Sequence, residues 1–206
     1  MATTAALLAL TVAGCTPAGT DGDTTTSSSR STVPTLPTVP YAPTTSSTSG
    51  TPAAADYPRL LLTAGDLTDA EDTFVERSRE AQPNGSDGAS AFFVNGEDSR
   101  AVIDTFLVYP DAATARATLK QVVGTLPTLV IGGTPQPLAI GTDGVVVSGT
   151  DPKAAKAVTL ALFAQGRALV RLEFQSAVGD PTTNQFVTTI AKMQQIALRI
   201  GLADSH

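Results

Sequence analysis

The sequence predicts an α+β fold, in which a mainly antiparallel β-sheet carries a middle helix and a C-terminal helix and follows a disordered linker. Residues 158–175 hold two apolar strands around a Gly-containing turn, and the second strand alternates apolar and polar residues, as expected of a β-hairpin. Two segments, one after Asp111 and one after Asp180, place apolar residues at helical spacing. Residues 16–56 are rich in Thr, Ser and Pro and have almost no apolar periodicity, which is typical of a disordered linker.

The predicted domain, residues 57–206, opens with a short helical turn. Thr63 and Asp66 have the spacing of a capping box, which marks a helix start after an apolar run. Turn signals then separate three strands, predicted at residues 73–79, 89–95 and 100–109. The third strand is apolar on both faces, as expected of a central strand that is covered on both sides.

The middle helix is predicted to begin after Asp111, which is a suitable N-cap residue, and to stop at Gly124. Its apolar residues share one face: Ala112, Ala115, Leu119, Val122 and Val123. Residues 128–150 are rich in Gly, Pro and Val. They predict short strands with turns at residues 132–133 and 142–144.

The hairpin is predicted to turn at residues 164–167, where Gly166 can adopt a positive φ. In its second strand the apolar residues alternate with Arg167, Arg171 and Glu173, which predicts one buried face and one wet face.

The final helix is predicted to use Asp180 as N-cap, with Pro181 in the first turn. Its apolar stripe consists of Phe186, Ile190, Met193, Ala197 and Ile200. We expect this stripe to pack on the sheet. A partner-binding helix is the alternative.

Cys15 is the only cysteine, and it closes a short apolar segment that ends in Ala13-Gly14. The segment is too short to cross a bilayer as a helix, which takes about 20 residues. Small residues before a cut site are typical of a removable export signal. No Lys or Arg precedes Arg30, so the basic start of such signals is missing. An incidental cysteine in an apolar leader is the alternative.

Residues 12–15, Val-Ala-Gly-Cys, resemble the bacterial lipobox. The resemblance implies a signal peptide over residues 1–14 and cleavage between Gly14 and Cys15. It also implies a diacylglyceryl group on the Cys15 sulfur, with acyl chains such as palmitate. The mature chain would then be anchored to the extracytoplasmic face of the cell membrane, since each buried CH₂ contributes about 0.8 kcal/mol.

The linker contains Pro34, Pro37, Pro40 and Pro43 at every third position, which favours local polyproline II structure. A flexible chain of this length has a root-mean-square span of about 35 Å. The Thr and Pro content is typical either of an O-glycosylated stalk or of an unmodified spacer.

Taken together, the chain resembles small envelope lipoproteins of actinobacteria, mycobacteria included. The features that carry the resemblance are the lipobox, the Thr/Pro linker, the strand-to-helix step at residues 109–115 and the hairpin with its terminal helix. The order of strands, helix, strands and terminal helix is also similar to the Mog1/PsbP-like sandwich found in some mycobacterial lipoproteins. The resemblance implies a location rather than an activity.

Composition limits the chemistry that the chain can perform. His206 is the only histidine, and Cys15 is expected to carry the lipid. The chain therefore lacks the residues needed for a zinc site, a disulfide or a Cys/His nucleophile. No P-loop, dinucleotide fingerprint or G-x-S-x-G elbow occurs, and we expect no metal and no cofactor. A formal charge of −6 argues against nucleic acid and against electrostatic adhesion to anionic lipid.

Three residues are candidates for binding: Asp104, Arg167 and Arg171. Asp104 lies in a strand predicted to be buried, so its carboxyl is expected to be paired or at a pocket mouth. The arginines, with Arg77 and Arg79, either converge on a carboxylate or form surface or structural ion pairs, and we favour the ion pairs. Acidic residues at 69–72 and 97–98 are expected to be solvated rather than catalytic or calcium-binding.

Two classes of function remain. The favoured one is a monomeric, membrane-anchored lipoprotein whose domain binds an envelope lipid, glycan or protein without catalysis. The alternative is a carboxylate-based, glycosidase-like hydrolase. A large apolar pocket beneath the terminal helix would favour a lipid ligand. Two carboxylates about 5 to 9 Å apart in a cleft would favour hydrolysis. A filled core with neither feature would favour a protein partner.

Overall fold

A computed structural model describes residues 56–202, so Gly14, Cys15, almost all of the linker and His206 lie outside the described residues. The strands are β1 (Phe74–Ala81), β2 (Gly88–Asn95), β3 (Ala101–Val108), β4 (Gln136–Pro137), β5 (Thr142–Thr150), β6 (Lys156–Gln165) and β7 (Ala168–Ala177). The helices are α1 (Ala64–Leu67), α2 (Ala112–Leu129) and α3 (Asn184–Gly201), and a 3₁₀ turn spans Tyr57–Leu60. The predicted α+β fold is confirmed.

All strands form one antiparallel sheet of seven, in the order β1-β2-β3-β7-β6-β5-β4. Two long helices, α2 and α3, pack on its opposite faces. Along β6, Leu160 and Leu162 contact the cluster beneath α2, whereas Ala161 and Phe163 contact the cluster beneath α3. We call these two surfaces the α2 face and the α3 face.

The wet face predicted for the second strand of the hairpin is wrong. Leu169 and Glu173 of β7 point to the α2 face and are buried, as are the apolar residues on the α3 face. Strands β6 and β7 lie in the middle of the sheet, and α2 covers the side that the charges suggested was wet. The charged side chains there pair with one another instead of facing water.

The α3 face holds the larger core, built around fully buried side chains that include Phe93, Phe106, Phe163 and Phe174. Residues 57–62, which we call the strap, close this core beside β1 and β2. Leu60, Leu61 and Leu62 of the strap are buried, and the Tyr57 ring meets the Phe106 ring edge-on at 6.2 Å. Burial of such a side chain contributes about 1.5–3 kcal/mol, so the strap belongs to the core.

Of the two acidic residues predicted as helix N-caps, one is confirmed and the other is wrong. Asp111 is the N-cap of α2 and accepts a hydrogen bond from Thr114 N at 2.8 Å, as expected. The N-cap of α3, in contrast, is Thr183 rather than Asp180. Asp180 instead binds Arg100.

Helix α2 does not stop at Gly124 but continues to Leu129. A glycine inside a helix costs about 1 kcal/mol relative to alanine. Val122 and Leu126, on either side of Gly124, are buried against the sheet, and that packing outweighs the cost.

Two turns in the structure differ from the predicted ones. The turn at residues 142–144 is wrong, because these residues belong to β5 and form a bulge in which Asp143 has a φ of 53°. The hairpin turn is tighter than predicted: Gln165 pairs with Ala168, and only Gly166 and Arg167 lie between them. Gly166 has the expected positive φ, 56°.

The predicted apolar stripe of α3 is partly wrong, because Ile200 is 58% exposed. The residues that face the sheet are Val187, Ile190, Ala191, Gln194, Leu198 and Gly201. The helix is rotated about its axis relative to the prediction, and a glutamine takes a core position. Its Nε2 donates a hydrogen bond to the strap backbone there.

Candidate functional site

The most unusual polar group of the domain is the carboxyl of Asp104, which is 0% exposed. Strand β3 places it on the α3 face, where Ala91 of β2 and Leu172 of β7 are its cross-strand neighbours. Its Oδ2 accepts a hydrogen bond from the backbone N–H of Leu62 at 3.1 Å. Its Oδ1 has no hydrogen-bond partner. The carboxyl therefore lies sealed beneath the strap, not at a pocket mouth.

Three side chains from three different elements hold the strap. Besides Asp104, Arg79 of β1 donates to the carbonyls of Pro58 at 2.7 Å and Leu62 at 2.9 Å. Gln194 of α3 donates from Nε2 to the carbonyl of Leu60 at 3.2 Å. Because an unpaired buried backbone group is costly, these bonds fix the path by which the chain enters the domain.

Burial raises the pKa of Asp104 to about 7, because the charged form loses its hydration. The Leu62 N–H and the positive charge of Arg79 oppose this effect, since both favour the carboxylate. The Oε1 of Gln194 is also buried without a partner. The region beneath the strap thus holds two unsatisfied oxygens and an acid that changes charge near neutral pH.

The other two candidate residues do not join Asp104. Arg171 points to the opposite, α2 face and donates to the carboxylate of Glu173, which also accepts from Gln175 Nε2 at 2.7 Å. Arg167 lies in the turn between β6 and β7 and lines a groove with Arg199. The structure brings no two of the three candidates together.

The remaining arginines of the predicted group form ion pairs along the edge strand β1. Arg77 pairs with Asp98 at 3.0 Å, and Arg79 pairs with Glu76 at 2.6 Å. They do not converge on one carboxylate with Arg171, because Arg171 has its own partner on the α2 face.

An acidic cleft lies where α3 begins, beside Arg100 at the start of β3. Arg100 binds Asp72 at 3.1 Å and Asp180 at 2.5 Å. Asp69 accepts hydrogen bonds from the backbone N–H groups of Asp72 at 2.8 Å and Glu71 at 2.9 Å, which hold its pKa below the usual range. The carboxylates of Asp69, Asp72 and Asp180 are therefore bonded within the protein.

Three aromatic rings form the floor of the acidic cleft. The rings of Phe74 and Phe186 stack at 6.2 Å, and Phe174 meets Phe186 edge-on at 6.0 Å. The space left above them is only about 50 Å³. Ligand pockets usually span about 300–1,000 Å³, so this cleft is too small for a sugar ring.

The acidic cleft does not show the pKa pattern of a glycosidase. Such an enzyme needs a general acid with a raised pKa in the cleft, opposite a second carboxylate. In the acidic cleft the pKa of Asp69 is lowered. Among the described residues the carboxyl with a raised pKa is Asp104, which is sealed beneath the strap.

The space beneath α3 is filled by its core, so no large apolar pocket for a lipid opens there. Phe163, Phe174 and Ile190 are at most 1% exposed. What remains are open grooves along the flanks and end of α3, of about 460, 490 and 370 Å³. Their linings mix polar and apolar residues. By the criterion set from the sequence, a filled core favours a protein partner.

Within residues 56–202, no group of three acidic, His or Cys side chains could hold a metal ion. No helix in that part of the chain combines the length and apolar character needed to cross a bilayer.

The sequence did not reveal the part that Gln194 plays. A signal was present, because Gln194 lies four residues after Ile190 and four before Leu198, both of which face the sheet. A polar residue in the middle of a core stripe indicates a buried hydrogen bond, which here goes to the strap.

Comparisons with known proteins identify a fold but no family. No protein-family model matches this chain, and no curated protein matches it. Among solved structures, the extracellular domain of PknH from Mycobacterium tuberculosis is similar, with a TM-score of 0.51 and 11% sequence identity. The match covers 70% of this chain and 96% of that domain. At this identity the likeness concerns the fold alone.

Proposed function

We propose that this chain is an exported, membrane-anchored lipoprotein of the actinobacterial cell envelope whose domain is a non-enzymatic interaction module. The observation that carries the proposal is the similarity of the fold to an extracellular domain from a mycobacterium. The lipobox-like residues 12–15 support it independently.

Cys15 is the proposed attachment point. A thioether-linked diacylglyceryl group brings two acyl chains, and two lipid signals hold a protein firmly where a single chain binds reversibly. Residues 16–55 then act as the tether. With the root-mean-square span of about 35 Å expected of a flexible chain of this length, they would let the domain reach the membrane surface or a partner well above it.

The geometry of the domain supports interaction rather than catalysis. The carboxylates of Asp72 and Asp180 are engaged with Arg100, and that of Asp69 is engaged with backbone N–H groups. The grooves beside α3 are open and of mixed polarity, which suits a macromolecular surface better than a small enclosed ligand.

Detergent-phase partitioning in an actinobacterial host tests the proposal. The wild-type chain is expected in the detergent phase and to incorporate labelled palmitate, whereas Cys15→Ser is expected in the aqueous phase or as an unprocessed precursor. Thr16→Ser, one residue further on, is the matched control and should behave as wild type. Unchanged membrane retention and labelling of Cys15→Ser would contradict the proposal.

A further inference from the structure

The outward side of α3 carries apolar residues next to cations in its C-terminal half. Ile196 is 37% exposed and Ile200 58%, and Lys192 and Arg199 are exposed as well. Spacings of four, three and one residues put all four on one stripe of the helix, opposite the side that packs on the sheet. We call Lys192, Ile196, Arg199 and Ile200 the α3 patch.

Three cations of this region have no carboxylate partner among the described residues. Within residues 56–202, Arg59, Lys192 and Arg199 form no ion pair. One acid, Asp111, lines the same groove as Arg199, but it is engaged as the N-cap of α2 through the N–H and hydroxyl of Thr114.

The α3 patch lies at the end of the domain where the tether enters. At Gly201, the last residue of α3, an added Cβ would overlap the Leu60 side chain, so the strap lies directly against this end of the helix. The exposed Arg59 precedes Leu60. The chain from the membrane reaches the domain at Asp56, a few residues earlier.

The acidic groups gather at the other end of α3. Asp66 and Asp69 line a groove with the first turns of α3, and Asp180 lies just before the helix. A helix of 18 residues is about 27 Å long, which exceeds the Debye length of about 8 Å at physiological salt. These acids therefore lie beyond the screening length from the C-terminal end of α3.

We infer that the α3 patch docks on the anionic headgroups of the lipid bilayer. Isoleucines that enter the headgroup boundary, flanked by cations that meet lipid phosphates, are the pattern of an interfacial helix. The inference rests on the proposed lipid anchor, which would hold the patch near the bilayer at high effective concentration. It revises the expectation drawn from net charge alone.

Vesicle sedimentation of the full chain carrying Cys15→Ser tests the patch without the anchor. Vesicles of phosphatidylcholine alone are compared with vesicles of equal parts phosphatidylcholine and phosphatidylglycerol, at low and high salt. The difference between the two vesicle types isolates the electrostatic contribution, because apolar binding by the leader is common to both.

We expect binding to the anionic vesicles to exceed binding to the neutral ones and to weaken at high salt. Lys192→Gln with Arg199→Gln should lower it by about 30-fold, since each cation near an anionic surface contributes about 1 kcal/mol. Ile196→Ser with Ile200→Ser should also weaken it. Lys120→Gln with Lys153→Gln, which removes two exposed cations elsewhere, is the matched control and should have no effect.

Equal binding to both vesicle types would overturn the inference, as would equal losses in the patch and control variants. Binding of the anionic vesicles that the patch variants leave intact would assign the attraction to another surface and overturn it too. None of these results touches the proposed anchor, which detergent partitioning of the wild-type chain tests separately.

Discussion

Asp104 of β3 accepts a hydrogen bond from the backbone N–H of Leu62 at 3.1 Å, across 42 positions of sequence. This bond joins a buried acid in the middle of the sheet to the strap through which the chain enters the domain. The protonation of one carboxyl is thereby linked to how firmly that entry point is packed.

The first prediction concerns pH. Because the pKa of Asp104 rises from 3.8 to about 7 on folding, the folded state holds the proton more tightly than the unfolded state. Its contribution to stability is fully present below about pH 4 and is lost as pH rises to about 7, with a total on the order of 4 kcal/mol.

Urea unfolding of wild type and Asp104→Asn at pH 5 and pH 8 checks this. The free energy of unfolding of the variant should lose the part of the pH dependence that falls between these values. Asp143→Asn, at an exposed acid of the β5 bulge, should keep the wild-type slope. Parallel profiles for wild type and Asp104→Asn would contradict the prediction.

The second prediction concerns how closely the strap approaches α3. Gly201→Ala places a methyl group where the Leu60 side chain lies, so this buried side chain must move, at a cost of about 1–3 kcal/mol. Gly124→Ala, in α2, meets nothing within 4 Å and should stabilise by about 1 kcal/mol through helix propensity. Thermal denaturation of both variants measures the difference. A Gly201→Ala variant as stable as Gly124→Ala would refute the close contact.

The third prediction concerns Arg79, which donates to two strap carbonyls. Arg79→Gln should lower the hydrogen-exchange protection of the strap amides by about tenfold or more, because hydrogen bonds from a charged donor contribute about 1.5–3 kcal/mol.

Arg77→Gln, two residues earlier on β1, is the matched control. Arg77 forms an exposed pair with Asp98, with side chains 52% and 69% accessible, and such pairs contribute at most about 1 kcal/mol. Protection in the strap should therefore stay at the wild-type level in this variant. If the two variants had equal effects, Arg79 would have no special part in holding the strap.

Local signals in the sequence were sufficient for several elements. The capping box of Thr63 and Asp66 is present, with the Asp66 carboxylate accepting from both the N–H and the hydroxyl of Thr63. Strand β3 is buried from Ala101 to Leu107, as its two apolar faces indicated. These features depend on neighbours within a few residues or on a simple period, which a single sequence displays.

Other features depend on contacts that a single sequence does not display. The buried side of α3 was predicted wrongly because Leu198 and Ile200 are both apolar, and apolar character alone does not tell which of them faces the core. The presence of Gln194 in the core depends on a carbonyl 134 positions away. The partner of Asp104 is equally remote. Likewise, the alternation of Arg171 and Glu173 with apolar residues predicted a solvent-exposed face. The sequence pattern is the same whether such charges face water or pair with each other beneath a helix, as they do here.

The central claim, that Cys15 anchors the mature chain, is tested most directly by intact mass spectrometry of the protein purified from the membranes of an actinobacterial host. We predict a mass equal to residues 15–206 plus a diacylglyceryl group, with or without a further acyl chain, and fragments that place the added mass on Cys15. A chain that retains residues 1–14, or one that carries a free thiol at Cys15, would contradict the claim.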